Sequence, residues 1–308
     1  MRARIVDAWC RYWFPEAPLV DLAAMRIVTA LVVLGLTATW PSGVTHYFAA
    51  ALVPPALWAP VPLVAAIFPA PPSFAAVIWL GRLTLAATLA LLLGVATRAA
   101  LALLVPLLLV QEAWLNSAGK QSHGAIALVY AVLFLALSPC DRALSLGRAV
   151  RRALRRGAAP AAPGEPRTSR LARWPIDLLF FQISTLYFLA GVAKLRASGL
   201  AWADGSTLQY YILTSGSAAG AAVASLPWLC AWLSGVSLSF ELLAPLGMVR
   251  SLRAPILLVG VAFHVGTGLL MRIDFWPLVS LYGVFVPWRR LTERLTRRRR
   301  SPIAAARF

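Results

Sequence analysis

Residues 22–40 read LAAMRIVTALVVLGLTATW, an apolar run that contains one charged residue, Arg26, and ends in Trp40. A helix needs roughly 17 to 25 apolar residues to cross the hydrocarbon of a bilayer, and this run has that length. Tryptophan at the end of such a run is typical of the headgroup region. The stretch therefore predicts a membrane-spanning helix, and Arg26, one turn from its start, is expected to extend its guanidinium to water.

The composition of the 308-residue chain extends this prediction to the whole protein. Hydrophobic residues make up 60% of it, charged residues only 13%, and the mean hydropathy is +0.75. Soluble domains carry about 25% charged residues, so a soluble cytosolic enzyme is excluded. We expect an all-α, polytopic membrane protein of about eight transmembrane helices, within a range of seven to nine. The predicted spans are residues 22–40, 74–95, 99–115, 123–138, 175–195, 227–249, 254–271 and 274–288.

The distribution of arginine predicts the orientation of these helices. With both termini in the cytoplasm, an eight-helix arrangement places 23 of the 27 arginines on the cytoplasmic side. Nine of them lie in residues 141–173 and eight in residues 289–308, whereas residues 41–73 contain no lysine or arginine. Cytoplasmic loops carry such an excess of positive charge. We therefore expect a multi-pass protein of the cell membrane.

The same pattern predicts how the chain is organised. We expect one transmembrane domain over residues 1–308, with residues 141–173 as a basic cytoplasmic linker between the fourth and fifth helices and residues 289–308 as a basic tail. The net charge of +18 then reflects orientation and contact with membrane lipid, and no nucleic-acid partner is expected. Residues 49–72 contain seven prolines, which favours an interfacial or re-entrant segment because proline interrupts helices.

Ionisable residues in or beside the spans are the candidates for function, because each is costly in lipid. Arg82 requires a partner, for which Glu112 and Glu241 are the candidates. Cys10, Cys140 and Cys230 lack ligand-like spacing, so neither a disulfide nor a metal site is predicted. The full set of ionisable candidates is Arg26, Arg82, Glu112, His123, Lys194, Glu241 and His264.

Lys194 has the most informative surroundings. Tyr187 and Gly191 lie seven and three residues before it, on the same helical face. A desolvated lysine amine acts as a base, whereas a lysine at the end of a helix often extends to the interface. Both interpretations remain open. Glu241 lies on a polar stripe, and His264, with glycines four residues before and after it, suits either close helix packing or a flat ligand.

The run Tyr187-Phe-Leu-Ala-Gly191-Val-Ala-Lys194, followed by Trp202-Ala-Asp-Gly205, resembles a stretch in vitamin K-dependent gamma-carboxylase and its wider superfamily, the HTTM membrane proteins. The resemblance covers nearly the whole chain. It departs from the carboxylase at Ala193, where the family has a second lysine. Weaker matches occur in the family's order at Gln121-Ser-His123, Ser138-Pro139, Phe263-His264 and Phe275-Trp-Pro277.

The resemblance implies a site that faces away from the cytoplasm. In the carboxylase, the lysine at the position of Lys194 is regarded as the base that deprotonates reduced vitamin K, and histidines matching His123 and His264 lie in or near that site. By this resemblance we expect reduced vitamin K or menaquinol as cosubstrate and no metal. The expected catalytic residues are Lys194, His123, His264 and Glu241, and the expected cofactor-binding residues are Tyr187, Gly191, Trp202 and Arg82.

Two classes of function remain after these observations. The first is a quinol-linked, carboxylase-like enzyme that acts on a secreted peptide or a lipid at the outer face. The second is a non-catalytic membrane module for the maturation, binding or export of a secreted partner. A secondary transporter is less favoured, because corresponding halves of the chain lack paired Gly/Pro breaks in their helices.

Overall fold

The computed structural model describes residues 2–38, 50–118, 125–155, 167–215 and 217–295. The chain divides into two compact units. Unit 1 consists of Met1–Ile176 with Gly283–Phe308, and unit 2 consists of Asp177–Tyr282. Each unit is built from α-helices, since the described strands are limited to two residues each.

The helices of unit 1 include three long apolar helices and a set of shorter ones. In chain order they are α1 (Arg2–Trp13), α2 (Leu19–Ala38), a 3₁₀ turn (Pro55–Leu57), α3 (Pro62–Ile67), α4 (Phe74–Leu93), α5 (Thr97–Ser117), α6 (Ile126–Ala136) and α7 (Leu146–Arg155). Residues 288–295 are also helical. α2 packs against α4 and α6, and α5 packs between α4 and α6. Two-residue strands β1 (Ala17–Pro18) and β2 (Thr168–Ser169) pair in antiparallel register.

Arg26 corrects one expectation from the sequence. Its side chain is 0% exposed and does not extend to water. The guanidinium instead donates hydrogen bonds to the carbonyl oxygens of Cys140, at 3.2 Å, and Leu144, at 2.5 Å. Gly94 makes room for it, since a Cβ there would lie 2.9 Å from Nη1 of Arg26. Backbone carbonyls thus supply the partners that the sequence pattern did not reveal.

The proline-rich segment contains short helical pieces, because its prolines interrupt longer helices. Within it, the 3₁₀ turn and α3 contain three and six residues. Trp58 is buried against Ala50, Val77 and Trp114, and its indole N–H donates to the carbonyl oxygen of Phe68 at 3.1 Å. The segment therefore packs on α4 and α5 through an aromatic anchor.

Residues 141–173 contain more structure than the linker that the sequence predicted. Ten of them form α7. Ser145 Oγ donates to the carbonyl oxygen of Gly94 at 2.7 Å, and the backbone N–H of Gly147 donates to the same oxygen at 3.3 Å. These two bonds join the start of α7 to the turn between α4 and α5.

Unit 2 contains the second group of long apolar helices. Its elements are α8 (Trp174–Ser198), whose first three residues belong to unit 1, a 3₁₀ helix (Gly199–Asp204), α9 (Ser206–Ser215), α10 (Ala218–Ala224), α11 (Pro227–Leu243), a 3₁₀ helix (Ala244–Met248), α12 (Arg250–Met271) and α13 (Trp276–Leu281). A 3₁₀ turn (Tyr282–Phe285) begins at the last residue of unit 2 and continues into unit 1. α9 and α10 contact both α11 and α12, and the helix at Gly199–Asp204 packs on α11.

The lengths and composition of the helices support an all-α, polytopic membrane protein. In the described part of the chain, six helices are long and apolar enough to cross a bilayer: Leu19–Thr37, Phe74–Leu93, Thr97–Ser117, Trp174–Asp204, Pro227–Met248 and Arg250–Met271. Each coincides with a predicted span. The predicted fourth and eighth spans correspond to the shorter apolar helices Ile126–Ala136 and Trp276–Phe285.

Candidate functional site

The candidate site lies in unit 2 and starts from one face of α8. Tyr187 and Lys194 are seven residues apart, which is about two helical turns, so their side chains project from the same face. Gly191 lies between them on this face. A Cβ at Gly191 would lie 3.1 Å from the side chain of Leu242 and 3.2 Å from Cβ of Glu241. The absence of a side chain there brings α11 close to α8.

Lys194 and Glu241 form an ion pair across this helix contact. Nζ of Lys194 donates a hydrogen bond to Oε1 of Glu241. The Glu241 side chain is 4% exposed and that of Lys194 is 22% exposed. Oε2 of Glu241 is buried and has no hydrogen-bond partner within the described residues. The pair therefore places one ammonium and one incompletely bonded carboxylate in an apolar setting.

Trp202 covers the ammonium. Its ring centre is 5.3 Å from Nζ of Lys194, a cation–π distance. Trp202 lies in the 3₁₀ helix that follows α8 and packs on α11. Lys194 is thus held by a carboxylate and an aromatic ring.

A second polar group adjoins the pair. Oη of Tyr187 is 2.5 Å from Nε2 of His264 and 2.5 Å from Oη of Tyr282. Tyr187, His264 and Tyr282 are all at least nine-tenths buried. Gly260 makes this arrangement sterically feasible, because a Cβ there would lie 2.7 Å from the Tyr282 hydroxyl oxygen. Nδ1 of His264 has no hydrogen-bond partner in the described part of the chain.

A cavity of about 410 Å³ adjoins these groups. Lys194 contributes a charge to its lining, while most of the other lining side chains are apolar or aromatic. They include Trp202, Trp232, Phe240, Phe263 and Leu270. Phe240 also packs on Tyr187, with 4.9 Å between ring centres, and so connects the cavity wall to the Tyr187–His264–Tyr282 group. A mostly apolar cavity with a few polar groups is typical of small-molecule sites.

The structure brings most of the sequence-predicted site residues together. Lys194 and Trp202 line the cavity, Glu241 pairs with Lys194, and Gly191 forms the helix contact. Tyr187 and His264 form the adjoining hydrogen-bonded group described above.

One predicted site residue belongs to the other unit, and another is not described. Arg82 belongs to unit 1, where it is exposed and its guanidinium lies 5.1 Å from the ring centre of Trp79. Glu241, one of its two expected partners, pairs with Lys194. His123 lies outside the described residues. Among the residues that are described, no group of three or more His, Cys, Asp or Glu side chains is placed to hold a metal ion.

Sequence reasoning missed Tyr282 and Phe240. The candidates from the sequence are ionisable residues in the apolar spans, and the last of these is His264. Tyr282 lies after it and carries no charge, so it was not selected. A signal was nevertheless present at Gly260, four residues before His264, where the sequence indicated the close approach of another group. Phe240 directly precedes Glu241, but a phenylalanine in an apolar helix is indistinguishable from a packing residue.

Fold and site together define a polytopic, all-α membrane protein with an ion pair beside an apolar cavity. The HTTM domain family model matches residues 16–288, and the chain therefore belongs to the HTTM family, the transmembrane domain of vitamin K-dependent carboxylase-like proteins. No curated protein and no solved structure matches the chain.

Proposed function

We propose that this HTTM protein is a quinol-linked membrane enzyme in which Lys194 acts as the base. The observation that carries the proposal is the Lys194–Glu241 pair beside the apolar cavity. An ammonium beside such a cavity has no packing role that an apolar residue would not fill at lower cost.

Reduced vitamin K or menaquinol fits the chemistry of this lining. Both combine a flat aromatic ring that carries hydroxyl groups with a long hydrocarbon tail. The aromatic and aliphatic side chains suit the ring and tail, and Lys194, which lines the cavity, suits a hydroxyl group. Oε2 of Glu241 is buried without a partner in the described chain, so the carboxylate behind Lys194 is incompletely bonded. A quinol bound here would supply the electrons that reduce oxygen, with one quinol and one O₂ giving one epoxide and one water.

The residues have distinct roles in this proposal. To act as a base, Lys194 must first lose its proton, and Glu241 is placed to accept it. Proton transfer from Lys194 to Glu241 neutralises both side chains. It therefore offsets part of its own free-energy cost, because two charges are removed from an apolar setting. Neutral Lys194 then takes a proton from the hydroxyl in the cavity. Trp202 holds the amine in place, and the hydrogen-bonded Tyr187 and His264 fix the wall beside it.

The proposal includes an orientation in the membrane. Eight crossings, with both termini in the cytoplasm, place the end of α8 that carries Lys194 on the non-cytoplasmic side. The positive-inside rule supports this arrangement. The substrate is then a secreted peptide or a lipid reached from outside, and the protein resides in the cell membrane.

Quinol turnover by membranes that contain the full chain tests the proposal. The substrates are reduced vitamin K and menaquinol, and the epoxide is measured by mass spectrometry. We expect Lys194→Arg to reduce turnover by at least about 100-fold, because a guanidinium keeps the charge and the pair with Glu241 but is not deprotonated. Arg196→Gln, two residues away and exposed, serves as the matched control.

The outcomes separate the two classes of function. Loss of quinol turnover in Lys194→Arg, with full turnover in Arg196→Gln, supports the role of Lys194 as the base. Equal turnover in wild type and Lys194→Arg removes that role. No turnover by wild type with either quinol contradicts the enzyme and favours the non-catalytic module for a secreted partner.

A further inference from the structure

α7 has two chemically opposite faces. In its sequence LGRAVRRALR, the apolar residues Leu146, Val150 and Leu154 share one face. Arg148, Arg151 and Arg152 share the other. The helix contains no acidic residue. Leu146, Val150 and Leu154 are 50%, 48% and 79% exposed. The apolar face is therefore largely uncovered by protein.

The surroundings of α7 indicate what covers this face. An apolar face opposite a basic face is the pattern of helices that lie in the plane of a membrane interface. The chain belongs to a transmembrane family and carries six helices long enough to span a bilayer within its described part. A lipid surface is thus present beside the protein, and its acidic headgroups complement the arginines of α7.

A polar pocket of about 280 Å³ adjoins the start of α7. Its lining includes Thr97 and Arg98 from the first turn of α5, Asp141, and Arg151 from α7. Asp141 accepts a hydrogen bond from Arg98 at 3.2 Å. With two arginines against one aspartate, the pocket has an excess of positive charge.

The first turn of α5 strengthens the attraction for anions. The residue that precedes it, Ala96, provides no side-chain cap, and the uncapped N–H groups of a helix N-terminus attract phosphate. Thr97 is only 5% exposed, and its hydroxyl has no hydrogen-bond partner within the described residues. The pocket thus offers a hydroxyl, a helix N-terminus and two guanidinium groups.

We propose that this pocket and α7 form a binding site for an acidic phospholipid of the surrounding membrane. Thr97, Arg98 and Arg151 hold the phosphate of the headgroup. Leu146, Val150 and Leu154 enter the interface beside the acyl chains. The site lies in unit 1 and does not depend on the proposed quinol chemistry in unit 2.

Lipid binding to the purified full chain tests whether the arginines of the pocket bind the acidic headgroup. Native mass spectrometry in detergent compares phosphatidylglycerol with phosphatidylcholine. We expect wild type to prefer phosphatidylglycerol and Arg151→Gln to weaken that binding about fivefold, as expected for one charge at an anionic surface. Arg151 is exposed, so its replacement should leave the fold intact.

The matched control is the double variant Arg290→Gln with Arg294→Gln, which removes exposed arginines from the helix at residues 288–295. Its affinity for phosphatidylglycerol should equal that of wild type. Equal weakening in Arg151→Gln and in the control would show a general effect of surface charge and overturn the site, as would a wild type without preference between the two lipids.

A second measurement tests the position of α7. In a Cys10→Ser background, a fluorophore attached at Leu154→Cys reports contact with lipids that are brominated on their acyl chains in phosphatidylglycerol nanodiscs. We expect strong quenching at this position and little at Arg294→Cys. A label at position 154 that is quenched no more than the one at position 294 would show that α7 lies outside the interface and would overturn the proposal.

Discussion

Several buried charged side chains in the described part of this protein are each stabilised by their own set of partners. Asp177 illustrates this in unit 2, where its side chain is 0% exposed. Its two carboxylate oxygens accept hydrogen bonds from Arg253 at 2.7 Å and Arg250 at 2.8 Å. Arg253 also lies 4.5 Å from the ring centre of Phe180. These contacts join the beginnings of α8 and α12.

We expect Asp177→Asn to lower the stability of the protein strongly. The change leaves the guanidinium of Arg253, whose side chain is 7% exposed, beside a neutral amide. Removing one partner from a buried pair costs about 3–5 kcal/mol. Thermal unfolding in detergent, followed by tryptophan fluorescence, measures the effect. Glu293→Gln is the control, because its pair with Arg289 is about half exposed and should contribute less than about 1 kcal/mol. Equal melting temperatures in the two variants would contradict the role of Asp177.

The residues that the structure brings together in the candidate site were predictable where they are chemically unusual in a membrane. Lys194, Glu241 and His264 are ionisable residues in apolar helices, and the sequence marked them for this reason. Their partners were not predictable in the same way. Glu241 pairs with Lys194 and does not pair with Arg82, and this choice depends on the contact between α8 and α11. Arg26 is similar, because its partners are backbone carbonyls that any residue provides.

At the scale of elements, apolar length predicted the long helices well. Six predicted spans have counterparts among the described helices that are long enough to cross a bilayer. α7 was missed, because ten residues rich in arginine resemble a solvated linker when only composition is considered. Once the helix and its exposed apolar face are known, the amphipathic pattern of α7 indicates an interfacial helix and not a solvated linker. Composition alone could not distinguish a linker from an interfacial helix.

The contact between α8 and α11 leads to a prediction about two glycines. Gly191 faces Leu242 and Glu241 closely, whereas a Cβ at Gly235 would meet nothing within 4 Å. We expect Gly191→Leu to separate the helices and to lower stability by about 1–3 kcal/mol, as overpacking does. Gly235→Leu should keep or raise stability, since leucine favours the helix more than glycine. Thermal unfolding in detergent compares the two, and an unchanged melting temperature in Gly191→Leu would show that α8 and α11 do not pack closely there.

At the scale of the whole molecule, the two short apolar helices determine the topology. Ile126–Ala136 and Trp276–Phe285 have 11 and 10 residues, about 15–17 Å of helix against roughly 30 Å of hydrocarbon. If neither crosses, six spans remain, and residues 141–173 lie on the opposite side from both termini. If both cross, with local thinning of the bilayer or continuation by flanking residues, all three basic segments share one side.

The charges favour the second arrangement, because the first would export the nine arginines of residues 141–173. We therefore expect reporters fused after residue 160 and after residue 295 to behave alike, with fluorescent GFP and inactive alkaline phosphatase at both positions. A fusion after residue 204 should show active phosphatase. Replacing the nine arginines of residues 141–173 with glutamine should weaken the preference at position 160, because it removes the positive charges that favour the cytoplasmic side. Active phosphatase at position 160 of the wild-type sequence would instead support six crossings, and the end of α8 that carries Lys194 would then face the cytoplasm.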